Sequence, residues 1–228
     1  MLHLIGIDSD NQWITDVILP VLSIVLIFGL YLSRKCDLAI FLAWWAGLFL
    51  GAIWEACFYI LSKVAPPFTV HEGCHQINGA EICLPSSPLS DWYITLAHTI
   101  EDAGIFMIGV GLAWLILGRN KRPHFTHWHW GEFGIIWAWG VISNYIVDWT
   151  STGTTFLFIP TWFNPAYYST AFFSKDGLMI PYTLLPDVIW AVATIPIYAI
   201  LLWLKRRYGG RYFRQDNPTD DPTLASYG

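Results

Sequence analysis

Charged residues are scarce in this chain. They make up 13% of 228 residues, about half the ~25% typical of soluble domains. That shortage, beside 55% hydrophobic and 17% aromatic residues, excludes an ordinary soluble domain and points to an integral membrane protein. Basic residues are few as well, 12 against 17 acidic. They fall in short clusters at the ends of apolar runs, so no nucleic-acid partner is expected. Asn-x-Ser/Thr acceptors are absent (Asn217 precedes Pro218), so glycosylation says nothing about compartment. No nucleophilic serine triad, phosphate-cradling glycine loop or clean metal quartet stands out, and no cofactor or metal is expected.

What is present is a succession of apolar runs. Five fall near the ~20 residues that a helix needs to cross a bilayer: about Trp13–Leu32, Leu38–Leu61, Trp92–Leu117, Phe133–Thr150 and Tyr182–Leu204. The expectation is an all-α, integral membrane five-helix bundle over residues 13–207. A polar lead (1–12) precedes it and a tail (208–228) follows. The first run is not read as a cleaved signal peptide, because its leading flank (Asp8, Asp10, Asp16) is acidic and no small-residue cleavage site follows. It reads as a peripheral anchoring helix, with Asp16 at the membrane interface.

Lys and Arg placement gives orientation. Arg34, Lys35, Arg119, Lys121, Arg122, Lys205, Arg206, Arg207, Arg211 and Arg214 all fall on one side, leaving Lys63 and Lys175 on the other. The amino terminus is therefore expected on the non-cytoplasmic side and the carboxyl terminus in the cytoplasm, with the endoplasmic reticulum or another endomembrane as the location. Cys74 and Cys83 share a non-cytoplasmic loop, where an oxidising lumen permits a disulfide. Cys36 is placed on the cytoplasmic side and Cys57 within the membrane.

The third run carries the strongest functional signal. His98 lies one turn before Glu101 (i, i+3) and Asp102 (i, i+4), so the three share a stripe. Ionisable groups at membrane depth cost several kcal/mol unless paired or wetted, so each marks a candidate site. A polar seam that merely holds helices together is the plain alternative. In the second run the only charge is Glu55, one turn beyond Gly47-x-x-x-Gly51, a small-residue face suited to close helix packing. Trp44, Trp45, Trp54, Phe58 and Tyr59 surround it. In the fourth run Trp137, Asn144 and Asp148 share a face, with Tyr145 beside them, and the fifth begins with Asp187-x-x-Trp190. Antiparallel spans bring Glu55, His98, Glu101, Asp102, Asn144, Asp148 and Asp187 to a similar depth near the non-cytoplasmic end.

Two loops hold weaker patterns. His71-Glu-Gly-Cys-His75 matches H-E-x-x-H in form, but zinc proteases need both histidines on one helical face, and the Pro66-Pro67 and Gly73 context disfavours a helix. His124, His127 and His129 sit in a basic aromatic loop, where interfacial anchoring is the blander reading than a metal site. The apolar loop 150–181 is placed as a lid over the acidic end.

A carboxyl shielded from water keeps its proton near neutral pH, a second acid or His can take one back, and aromatic faces stabilise a cation. The expected function is an integral membrane enzyme performing acid/base, carbocation chemistry on a lipophilic isoprenoid or sterol-like substrate, by isomerisation or cyclisation. The catalytic candidates are Glu55, His98, Glu101, Asp102 and Asp187. The substrate-binding candidates are Trp54, Phe58, Asn144, Tyr145, Asp148 and Trp190. Expected partners are the lipid bilayer and the lipophilic substrate, with a homodimer admitted. A non-enzymatic ligand-binding or accessory protein would need only the pocket. A proton-coupled transporter would use the same carboxylates, although no internal repeat is visible.

Trp44-Trp45 followed by Glu55 and Phe58, then Glu101, then Asn144 with Asp148, and finally Asp187-x-x-Trp190 resemble the ordered helices of the emopamil-binding-protein (EXPERA) family. That family includes sterol isomerases. The resemblance implies Glu101 as proton donor or base, Glu55 and Asp187 as its partners, and Trp190 facing the cation. It departs at Gly51, where the isomerases carry His, and at Asp187, where they carry Asn. Trp54-Glu55, with Asp187 in the last helix, also resembles the membrane-bound meroterpenoid terpene cyclases.

Overall fold

The computed structural model describes residues 14–64, 69–70, 72–77, 80–84, 89–118, 123–151, 156–167, 174–175, 178–179 and 182–213. It is mainly helical. A π turn, Ile14–Ile18, leads into α1 (Leu19–Leu32), and α2 (Leu38–Val64), α3 (Asp91–Leu117), α4 (Trp130–Ser151) and α5 (Leu184–Tyr208) follow. Among the described residues, three helical stretches are long and apolar enough to cross a membrane: Leu38–Lys63, Asp91–Leu117 and Leu184–Tyr208. The helix around α1 is apolar but shorter, and α4 carries Glu132 and Asp148 within its 22 residues. The expected polar lead 1–12 and the tail beyond residue 213 lie outside the described residues.

Packing follows the small residues. α2 lies along α3, α3 along α4, α4 along α5, and α5 closes back on α2, so four helices form a ring. Gly47 and Gly51 make the α2–α3 contact close. A Cβ on Gly47 would meet Ala103 Cα at 3.4 Å, and one on Gly51 would meet the Thr99 carbonyl oxygen at 3.2 Å. The face read from Gly47-x-x-x-Gly51 is therefore the face that α2 turns to α3. α1 stands outside the ring against α3, with fewer contacts to α2. The outward surfaces are apolar, with Val25, Phe49, Leu115, Val192 and Ile195 all exposed, as helices facing lipid require.

The two ends of the ring differ. Where α2 begins and α5 ends, Ala39, Ala43, Val110, Ala113, Ile136, Tyr198, Leu201 and Leu202 fill the interior. Loop residue Phe125 plugs the same core. At the other end the packing is more open, and the loops fold into short antiparallel pairs that an all-helical reading omits. β1 (Thr69–Val70) pairs with β4 (Leu157–Phe158), tying the α2–α3 loop to the α4–α5 loop. β2 (Gly73–Ile77) pairs with β3 (Ala80–Leu84) in a hairpin that sets Cys74 opposite Cys83, and these two form a disulfide. Strand alternation turns Ile82 and Leu84 onto Leu157 while Glu81 and Cys83 face out. Later pairs join β5 (Ala166–Tyr167) to β8 (Tyr182–Thr183) and β6 (Ser174–Lys175) to β7 (Leu178–Met179). His75 sits on a strand rather than a helix, and His71 lies outside the described residues.

Candidate functional site

The open end encloses a cavity of about 660 Å³, within the range of small-molecule sites. α2 supplies Trp54, Glu55 and Phe58, α3 supplies His98, Glu101 and Asp102, and α4 supplies Asn144 and Asp148. Trp190 comes from α5, and Phe156 and Phe158 come from the β4 segment. Of the seven residues expected to converge, Glu55, His98, Glu101, Asp102, Asn144 and Asp148 line this cavity and Asp187 does not. Phe156 and Phe158 put part of the loop 150–181 over the same end, while residues 152–155, 168–173, 176–177 and 180–181 lie outside the described set.

Each polar side chain is held differently. Trp54 donates its indole N–H to Asp102 Oδ2 at 2.9 Å. Asn144 bridges two carboxyls, donating Nδ2–H to Asp187 Oδ1 and, at 3.4 Å, to Asp148 Oδ2. Asp187 thus reaches the cavity wall through Asn144. His98 Nε2 lies 3.2 Å from Asp16 Oδ1, with Glu55 and Glu101 close enough to act on it electrostatically. Glu101 is held by no such bond at one oxygen. Its Oε1 is buried and has no hydrogen-bond partner among the described residues. A buried polar atom left unpaired costs on the order of 1–3 kcal/mol, so such an atom calls for an explanation.

Aromatic faces complete the walls. Trp190 stacks on Phe106 with ring centroids 5.3 Å apart and leans towards Trp54 at 6.4 Å. Phe58 meets Phe158 edge-on at 6.2 Å, and Phe156 meets the His98 ring at 6.3 Å. At the mouth Lys63 pairs with Asp91 across 2.5 Å, both side chains largely exposed.

Three sequence expectations need correction. Tyr145 does not line the cavity. It sits about 100° round the helix from Asn144, and its side chain is 42% exposed on the outer face. The stripe through Asn144 and Asp148 is buried there but opens at Trp137, which is exposed as aromatic residues near a membrane interface commonly are. The third concerns Asp16. It is buried within the protein, 1% exposed and paired with His98. Leu19, Leu22 and Leu26 of the supposedly peripheral α1 also line the cavity. The available signal was a lone acid at the head of an apolar run, four residues before Pro20. Of the three loop histidines, His124 Nδ1 meets Glu132 Oε1, His129 Nδ1 accepts the Glu132 N–H, and His127 Nδ1 meets Thr126 Oγ1.

Comparison with known protein families, curated proteins and solved structures finds no match to this chain.

Proposed function

We propose that the chain is an integral membrane enzyme that moves protons on a lipophilic substrate, an isoprenoid or sterol-like alkene, inside the cavity between α2, α3, α4 and α5. The observation that carries this reading is Glu101 Oε1, the buried carboxyl oxygen without a partner in a cavity walled by Trp54, Phe58, Phe156 and Trp190. A carboxyl left unpaired next to apolar space is suited to give a proton to a guest that offers no hydrogen bond of its own, such as a carbon–carbon double bond. The resulting cation would face indole and phenyl rings and carboxyls from three helices. Glu101 acts as the acid, Glu55, His98 and Asp102 as groups that accept and return protons, and the Asn144–Asp148–Asp187 cluster as the opposite polar wall. This assignment agrees with the roles implied by the likeness to the EXPERA isomerases.

The reading places five spans in the membrane, counting α1 and α4. The basic clusters set the amino terminus on the non-cytoplasmic side and the carboxyl terminus in the cytoplasm. The Cys74–Cys83 disulfide belongs on the non-cytoplasmic side, which suits an endoplasmic reticulum or related membrane.

The test is incubation of the purified protein with membrane lipid extract in D2O, followed by mass spectrometry. Deuterium entering a sterol or isoprenoid with wild type but not with Glu101→Gln is the expected result. No incorporation across a broad lipid panel overturns the enzyme and leaves a binding or accessory protein.

A further inference from the structure

Asp16 comes from outside the four-helix ring and meets the cavity through His98. It sits in the π turn Ile14–Ile18, a widened turn that is frequent at functional sites. Ser23, two turns further on, pins α1 to the ring. Its Oγ accepts the Trp44 indole N–H at 3.0 Å and donates to the Ile100 carbonyl at 3.4 Å. Gly104 leaves room for this, since a Cβ there would come within 2.7 Å of Ser23 Oγ. α1 and α3 therefore run side by side in one direction, and the register that sets Ser23 at Gly104 sets Asp16 beside His98.

Asp16 Oδ1 lies 3.2 Å from Nε2, and a carboxylate there can only accept, which assigns the hydrogen to Nε2. Nδ1 is then the ring position that can take up or release a proton. His98 lines the cavity one turn before Glu101. Its charged neighbours among the described residues include Asp16 from the π turn, Glu55 from α2, and Glu101 and Asp102 from α3. Phe156 covers the ring edge-on.

We propose that Asp16 is a positioning residue that holds His98 by Nε2–H, so that His98 works through Nδ1 as the base opposite Glu101. The assignment rests on the proton-transfer reading of the cavity. The proton count closes. Glu101 gives its proton to one alkene carbon, forming a C–H bond and leaving a cation on the adjacent carbon. Nδ1 removes a proton from a carbon on the far side of that cation, and the freed electron pair forms the new double bond. The imidazolium returns the proton to the Glu101 carboxylate, with nothing oxidised or reduced.

Two measurements on the full-length protein in detergent test this. Nitrogen NMR of ¹⁵N-histidine protein, with the His98 signals assigned by loss in His98→Gln, reads the ring without any need for turnover. The expected result is a hydrogen on Nε2 in wild type and a shift of that population in Asp16→Asn. Deuterium exchange into substrate should fall roughly 10- to 100-fold in Asp16→Asn, the scale seen when a group that orients a histidine is removed. The pH optimum should be displaced, with Asp16→Glu restoring part of the rate. An unchanged His98 spectrum in Asp16→Asn overturns the assignment. So does a rate loss that only tracks the folded fraction, with an unaltered pH profile. Wild type that exchanges no deuterium, while Asp16→Asn still disturbs Nε2–H, overturns the proton-transfer reading and leaves the Asp16–His98 pairing standing.

Discussion

Both ends of the helical ring bury carboxyl groups, and they treat them in opposite ways. At the packed end, Asp37 accepts from Lys205 Nζ at 2.6 Å, Gly210 N–H at 3.0 Å and Ile40 N–H at 3.1 Å. Glu132 accepts the Tyr198 hydroxyl at 2.9 Å, meets His124 Nδ1 at 3.1 Å and caps the Phe125 N–H at 3.4 Å. Those acids are saturated with donors and tie loops and helix ends together. At the hollow end, Glu101 Oε1 is buried and has no hydrogen-bond partner among the described residues. A buried acid with several donors is structure, whereas one short of donors beside a cavity is available for chemistry.

Exchanging the fate of the two glutamates is the sharpest way to break this contrast. Glu101→Gln should lower the rate of deuterium transfer roughly 100- to 10,000-fold, the usual worth of a general acid. Thermal unfolding in detergent should barely move, because no hydrogen bond to Oε1 is lost. A large drop in stability with activity retained would make Glu101 structural and erase the difference between the ends. Glu132→Ala should do the reverse and cost about 3–5 kcal/mol, since it strips partners from a buried charge network. Part of that loss should appear as release of the loop carrying His124 and Phe125, which limited proteolysis would detect.

The contrast was half legible in the sequence. Spacing alone put His98, Glu101 and Asp102 on one stripe and Glu55 on the Gly47–Gly51 face, because helical periodicity is local and strong over a long apolar run. It also brought the acids of α4 and α5 to the same depth, because antiparallel spans of similar length leave little freedom. Asp16 was missed because its burial depends on a π turn and on Ser23 seating α1, neither of which has a periodic signature. The roles of Asp37 and Glu132 were missed for a related reason. Their partners Lys205 and Tyr198 lie far along the chain, and only the closed ring brings them near. Tyr145 failed as a cavity residue because adjacency in sequence is a 100° rotation on a helix.

Packing between α2 and α3 sharpens the comparison at smaller cost. Gly47→Leu would push into Ala103, which lies 3.4 Å from the position of a Cβ there. Overpacking of this kind typically costs about 1–3 kcal/mol. Because Gly47 is two turns from Glu55, the added bulk should also part the two helices that hold Trp54 against Asp102. The expected signature is a drop in melting temperature together with weaker substrate binding. Gly29→Leu on α1, where no atom lies within 4 Å of a Cβ, should change neither. A Gly47→Leu protein with wild-type stability would mean that the helices are not as close as their glycines indicate.

The smallest effect probes the packed end without perturbing it. Cys36, in the turn between α1 and α2, has its thiol pushed up to about 11, chiefly by burial and then by the neighbouring Asp37, with Lys205 pulling the other way. The thiolate is the reactive form, so with a thiol at about 11 only roughly one molecule in a thousand is reactive at pH 8. Alkylation of Cys36 should therefore be slow at pH 8 and rise about tenfold per pH unit up to about 11. In Asp37→Asn the raising charge is gone while Lys205 remains, so the rise should begin at lower pH. Mass spectrometry of the Cys36 peptide over a pH series reads this directly. Fast labelling at pH 8 in wild type would show that the turn opens to water, and that the end with saturated acids is no more closed than the end that lacks them.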